Sequence, residues 1–284
     1  MHAERVETTL PAATGPSRRL DIFRLLGIGV HLARGLVTAA LIFPFASPAA
    51  RAGFVRRWAQ GMMHALGAQL RIDGAAPAPG SLLVANHVSW LDILAIASCT
   101  PAIFVAKSEV RDWPAIGWLA ARARALFLKR SSGRSLLRVK NRIAALLLER
   151  GTVAIFPEGT TSDGSLLLLF RSGLLQAAVD GGRPVQPVAI AYYGDDGKPS
   201  VDAAFIDGMT LWSSLGAVCR SGRITVRLVF AAPLASAGRS RKELARAARD
   251  SIIATLARHP LNAISQIGET NPQRGIHKGV RLQI

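Results

Sequence analysis

His87 and Asp92 carry the most legible chemistry in this chain. His87 follows the apolar run Ser81–Ala85, and a helix is expected over Trp90–Ala97. The imidazole therefore stands where a strand ends, and Asp92 sits in the next helical turn; in open α/β sheets, strand carboxyl ends are where ligands bind. A carboxylate at that spacing can hold one imidazole nitrogen, fix its tautomer and stabilise its cation. The other nitrogen is then free to take a proton from a hydroxyl. A plainer reading stands beside this one. Ser89-x-x-Asp92 has the spacing of a capping box, in which Asp92 serves only the helix start.

A second strand exit repeats the arrangement. Gly151–Phe156 runs into Pro157-Glu158-Gly159-Thr160-Thr161-Ser162-Asp163-Gly164. Glu158 there can bind acceptor hydroxyls, and the backbone and Thr hydroxyls can contact oxyanions. The same residue types also make ordinary turns. A third feature is charge: residues 107–150 hold eleven Lys plus Arg against three acidic residues, a net of +8. Within that stretch Arg130 can clamp a phosphate through two hydrogen bonds; the plain alternative for most of these cations is a solvated helix face.

These residues need a scaffold. Expected strands are Arg71–Asp73, Ser81–Ala85, Ile103–Ala106, Val153–Phe156, Val185–Tyr192 and Ile224–Phe230. Helices are expected at Trp90–Ala97, Ala115–Arg124, Ser135–Arg150, Leu174–Asp180 and Arg241–Arg258, the last ending at His259-Pro260. Strand–helix alternation predicts an α/β fold, a mixed, largely parallel sheet flanked by helices. Ahead of it, Leu25–Phe45 is long and apolar enough to cross a bilayer, which needs about 20 residues. Arg24, His31 and Arg34 fall on one side of its helical wheel, which favours lying in the membrane interface. A single span and a buried core helix are the alternatives. With an amphipathic helix at Arg51–Leu70, this predicts an N-terminal two-helix membrane-associating segment. The expected organisation is a disordered leader at 1–20, membrane-associating helices at 21–69, the α/β domain at 70–260 and a tail at 261–284.

Composition narrows the function classes. The chain has 284 residues, a net charge of +17 and 50% hydrophobic residues, with a pI near 11.4 and a mean hydropathy of +0.27. A chain both basic and greasy suits an anionic membrane surface. Its 6% aromatic content and lack of a recognition motif argue against a nucleic-acid partner. Cys99 and Cys219 have neither disulfide-framework nor metal-ligand spacing, so no metal site is expected. A serine hydrolase would need a Gly-x-Ser-x-Gly elbow, which is absent. A dinucleotide enzyme would need Gly-x-Gly-x-x-Gly after a strand, whereas Gly27-Ile28-Gly29 lies inside an apolar helix.

In order along the chain, these pieces resemble the glycerolipid acyltransferases, the lysophosphatidic acid acyltransferase family. Asn86, His87 and Asp92 match its Asn-His-x-x-x-x-Asp motif. Gly117 with Phe127 and Arg130 matches its Gly…Phe-x-x-Arg motif, and Phe156 to Thr160 matches Phe-Pro-Glu-Gly-Thr, followed by Phe170-Arg171-Ser172-Gly173. Val185 and Pro187 match its Val-x-Pro strand; Lys107 and Pro114 also fit. The resemblance covers roughly residues 70–235. It implies a membrane-associated enzyme on the cytoplasmic face of the inner membrane. His87 would act as general base on an acceptor hydroxyl, oriented by Asp92. The acyl chain would arrive as a thioester of acyl carrier protein or coenzyme A, with no cofactor and no acyl-enzyme. Arg130, Glu158 and Gly159 would hold the acceptor head group. Lys107, Phe127, Thr160, Thr161 and Arg171 are further substrate-binding candidates, and Asn86, Pro157 and Pro187 would support the site.

One position departs from the pattern. Many family members carry Arg directly after Glu-Gly-Thr, thought to contact the acceptor phosphate, and here Thr161 stands there. A neutral hydroxyl supplies no bidentate cationic contact. Arg130 suffices, Arg171 substitutes, or the acceptor is not a phosphate monoester. The Glu-Gly-Thr-Thr-Ser-Asp-Gly form looks like enzymes that acylate lyso-ornithine lipids. Phosphatidic acid synthesis from 1-acylglycerol-3-phosphate is placed first on base rate, ahead of ornithine lipid synthesis.

Overall fold

The computed structural model describes residues 22–206 and 208–258. The expected leader at 1–20, the tail at 261–284 and the helix stop at His259-Pro260 lie outside the described residues. Seven strands form one sheet: β1 (Ala68–Asp73), β2 (Leu82–Ala85), β3 (Ala102–Lys107), β4 (Leu126–Leu128), β5 (Thr152–Ile155), β6 (Val185–Tyr193) and β7 (Ile224–Phe230). Their spatial order is β1-β7-β6-β2-β5-β3-β4. Strands β6, β2, β5, β3 and β4 run parallel, while β7 pairs antiparallel with β6 and parallel with β1.

The helices are α1 (Ile22–Leu41), α2 (Pro48–Ala65), α3 (Leu91–Cys99), α4 (Ile116–Arg122), α5 (Gly133–Leu148), α6 (Gln176–Asp180), α7 (Leu211–Arg220) and α8 (Arg241–Arg258), with a 3-10 turn at Ser108–Asp112. They cover both faces of the sheet. Strand β2 is buried at all four residues, as a central parallel strand requires. Leu83 and Ala85 pack in the cluster that contains α3 and the buried residues Met62, Met63 and Leu66. Leu82 and Val84 pack on the other face with Val139, Ile143 and Leu147 of α5 and Leu244 of α8. Helix α2 is therefore part of the main core.

The sheet matches the expected class. One strand and one helix were not expected: the three-residue β4, too short to show a period, and the ten-residue α7.

Helix α1 turns two residues of the expected polar stripe, Arg24 and His31, toward the protein, while the third, Arg34, is exposed. The Arg24 guanidinium donates to the carbonyls of Cys219 and Gly222 at 3.1 and 3.2 Å. The His31 ring stacks on Trp58, Nε2 lies 2.8 Å from the Trp58 carbonyl, and the Trp58 indole donates to the His31 carbonyl. Ile28 enters the main core and Leu25 and Leu32 pack against it, whereas Phe23 is 84% exposed and Leu26, Val30, Val37 and Leu41 are also exposed. By length and composition this one helix could cross a membrane, and little of it is buried.

Candidate active site

Parallel neighbours β2 and β5 bring the two strand exits together, with Val84 opposite Ile155. The amide of Asn86 donates to the Ile190 carbonyl at 2.9 Å and accepts from the Ile190 N–H at 2.8 Å. A side chain thus imitates one further rung between β2 and β6, fixing the chain immediately before His87.

Nδ1 of His87 lies 2.8 Å from Oδ2 of Asp92. The same oxygen accepts the N–H groups of Val88 at 2.8 Å and Ser89 at 2.9 Å, and the Tyr192 hydroxyl donates to Oδ1. Asp92 is fully buried. A carboxylate surrounded by main-chain and phenolic donors acts as an acceptor, so Nδ1 carries the hydrogen and Nε2 presents its lone pair. Burial, reinforced by the Asp92 charge, pushes the Tyr192 phenol well above its ordinary pKa, which keeps it a donor. The imidazole stacks on Phe156 with centroids 4.0 Å apart. Its side chain retains 19% exposure, an open edge for a substrate. The capping and chemical readings of Asp92 prove compatible: one oxygen meets both the helix start and the imidazole.

Glu158 also points inward. It is 4% exposed; Oε1 accepts the His87 N–H at 2.8 Å and Oε2 accepts the Leu168 N–H at 3.0 Å. Both oxygens hold main chain, and through Oε1 the carboxylate positions His87. Burial raises its pKa to about 7, opposed by the two N–H donors and assisted by the Asp92 charge. Thr161 likewise spends its hydroxyl on the Phe205 carbonyl. The Phe205 N–H returns to the Val88 carbonyl at 2.9 Å, so Thr161 clasps a neighbouring segment against the His87 loop. Gly159, at φ +80°, needs the left-handed region that glycine tolerates, and Arg171 lies across it: a Cβ there would stand 3.1 Å from Arg171 Nε.

Lys107 closes β3, Arg130 follows β4 and Arg171 follows the β5 loop, so all three sit at the same edge of the sheet as His87. Partial burial lowers the Lys107 pKa, and the Arg130 charge and then, beyond the opposing pull of Glu109, the Arg171 charge lower it further, so the three cations sense one another. None of them forms an ion pair among the described residues. They can hold an anionic group. Phe127 is instead covered by the Arg111 guanidinium, 5.6 Å from its ring centroid. Gly117 lets α4 approach the 3-10 turn, where a Cβ would stand 2.2 Å from the Arg111 carbonyl. Thr160 is exposed on the loop, and the Pro157 carbonyl accepts the Arg171 N–H at 2.9 Å. Pro187 is buried in β6 opposite Val84, on the strand face opposite to Tyr192, and so supports the sheet away from the imidazole.

The family model described as Acyltransferase matches residues 69–191. A lyso-ornithine lipid O-acyltransferase from Pseudomonas aeruginosa is 42% identical over 202 residues, covering 71% of this chain and 78% of that protein. The chain belongs to the lysolipid acyltransferase family. It is also 36% identical over 186 residues to a 1-acyl-sn-glycerol-3-phosphate acyltransferase from Neisseria meningitidis, covering 64% of this chain and 72% of that one. The crystal structure of the 1-acyl-sn-glycerophosphate acyltransferase of Thermotoga maritima shares the fold, with a TM-score of 0.64 and 22% identity over 84% of this chain and 93% of that one.

Three residues of this acyltransferase site have no sequence signal strong enough to single them out. Tyr192 sits in an apolar strand that reads as core. Phe205 acts through its main chain. Arg249 reads as part of an exposed helix face, yet it donates to the carbonyls of Leu167 at 2.7 Å and Leu168 at 3.1 Å, behind the Glu158 contact.

Proposed function

We propose that this O-acyltransferase acylates lyso-ornithine lipid, taking the acyl chain from a thioester of acyl carrier protein or coenzyme A at the cytoplasmic face of the inner membrane. The observation that carries the choice of acceptor is Thr161. Its hydroxyl is engaged by Phe205, so the position offers no cation where a phosphate monoester would need one. The similarity to the Pseudomonas lyso-ornithine lipid enzyme supports the same reading and reverses the order expected from base rate. Lys107, Arg130 and Arg171 suit the carboxylate of an amino-acid head group. They would also hold a phosphate, which keeps 1-acylglycerol-3-phosphate as the second acceptor.

In the reaction, Nε2 of His87 takes the proton of the acceptor hydroxyl as its oxygen attacks the thioester carbonyl. Asp92, held by four donors, stabilises the resulting imidazolium. The tetrahedral adduct then expels the thiolate, which recovers the proton from His87. No residue becomes acylated. The test is an acceptor panel with purified protein and one donor: lyso-ornithine lipid should give the higher kcat/KM. A preference for lysophosphatidic acid would reverse the assignment and leave the mechanism standing.

A further inference from the structure

The segment after Glu158 carries four consecutive leucines, Leu166 to Leu169, that the mechanism does not use. They divide by direction. Leu167 is 8% exposed and packs with Ala189, Ala191, Ile252 and Leu256. Leu166 is 50%, Leu168 40% and Leu169 81% exposed. This outward display is held in place from behind. Glu158 accepts the Leu168 N–H, and Arg249 donates to the carbonyls of Leu167 and Leu168. Two charged side chains thus fix the main chain of a loop that presents leucines to the outside. Grouped exposed apolar side chains mark a protein, ligand or membrane contact more often than chance.

We propose that Leu166, Leu168 and Leu169 form a lipid-docking loop that inserts into an anionic membrane surface beside the active site. The charge around the loop selects this occupant. Arg171 lies two residues beyond Leu169 and is exposed, and it shares its surroundings with Lys107 and Arg130. Apolar residues that enter the acyl boundary, flanked by cations that meet anionic head groups, are the pattern of an interfacial contact. The loop leaves β5 at the edge where His87 opens, so docking it would bring the imidazole to the lipid layer. The proposal rests on the acceptor being a lysolipid. It is separate from helix α1, which spans Ile22–Leu41.

The test uses the full chain with Leu169→Cys carrying an environment-sensitive dye. Burial raises the Cys99 thiol pKa to about 11, and Cys219 is buried, so labelling at neutral pH is confined to the new thiol. On vesicles of phosphatidylcholine with phosphatidylglycerol, the dye should shift to the blue and be quenched by lipids brominated in the upper acyl chain. Emission unchanged while the protein floats with the vesicles would overturn the proposal. So would the same shift on adding acyl donor without vesicles, which would make the loop a donor contact. A second variant, Leu166→Ser with Leu169→Ser, should lose about tenfold in kcat/KM on acceptor embedded in vesicles and keep its rate on a short-chain, monomeric acceptor. Equal loss on both, or loss on neither, would contradict it. The dye readout needs no turnover, so it distinguishes failure of the docking loop from failure of the proposed acceptor.

Discussion

Oε1 of Glu158 accepts the main-chain N–H of His87 at 2.8 Å. The loop after β5 therefore supports the exit of β2: its carboxylate holds the residue proposed to do the chemistry on the neighbouring strand. With its pKa near 7, Glu158 gains a proton as the pH falls through neutrality. The ionised form accepts both N–H groups, whereas the protonated form has one oxygen that donates. Transfer should therefore rise with pH through a step near 7. Stability should move the other way. Between the ordinary carboxylate value and about 7 the folded protein holds a proton that the unfolded chain has released, so stability falls as the pH rises across that window. Glu158→Gln should remove the step, flatten the stability slope and lower kcat by about tenfold or more, because one N–H is left facing an amide NH2. Rate and unfolding profiles against pH check this; a variant that keeps the step would reassign it.

Tyr192→Phe should lower kcat by about tenfold with little change in KM, since the buried phenol acts through Asp92. Stability should fall by about 1–3 kcal/mol, the cost of losing a hydrogen bond to a buried carboxylate. Steady-state kinetics and a denaturant titration check both. A KM effect with kcat intact would place Tyr192 in substrate binding.

Thr161→Arg releases the Phe205 carbonyl and adds a cation to the loop. The ratio of kcat/KM for lysophosphatidic acid over lyso-ornithine lipid should rise by about tenfold, the value of one new charge-assisted contact. An unchanged ratio would mean that this position does not choose the acceptor.

The parallel core and both strand exits were legible because their signals are local: short apolar runs that end in His87 or Glu158. Roles that depend on where a side chain turns were not. Glu158 and Thr161 read as substrate contacts, and the main-chain groups they also hold, at His87, Leu168 and Phe205, are not visible in the sequence. Tyr192 lies 100 residues from Asp92 along the chain, and only the β6–β2 pairing joins them. The polar stripe of α1 was visible, but a helical wheel does not say which side faces the protein. Here Arg24 and His31 face inward with Ile28, while Phe23, Leu26 and Val30 face out. The packing of Met62, Met63 and Leu66 into the main core also means that removing residues 1–69 would strip that core, so membrane contact by α1 is better tested by substituting Phe23, Leu26 and Val30.

The central claim is that Nε2 of His87 takes the acceptor's proton. It is tested most directly by the transfer rate of His87→Ala on lyso-ornithine lipid, beside an unfolding curve showing that the variant is folded. The imidazole is partly open, so the fold should survive while the rate falls by about 10³-fold or more. A folded His87→Ala protein that still transfers acyl chains at a rate close to the unmodified enzyme would contradict the account.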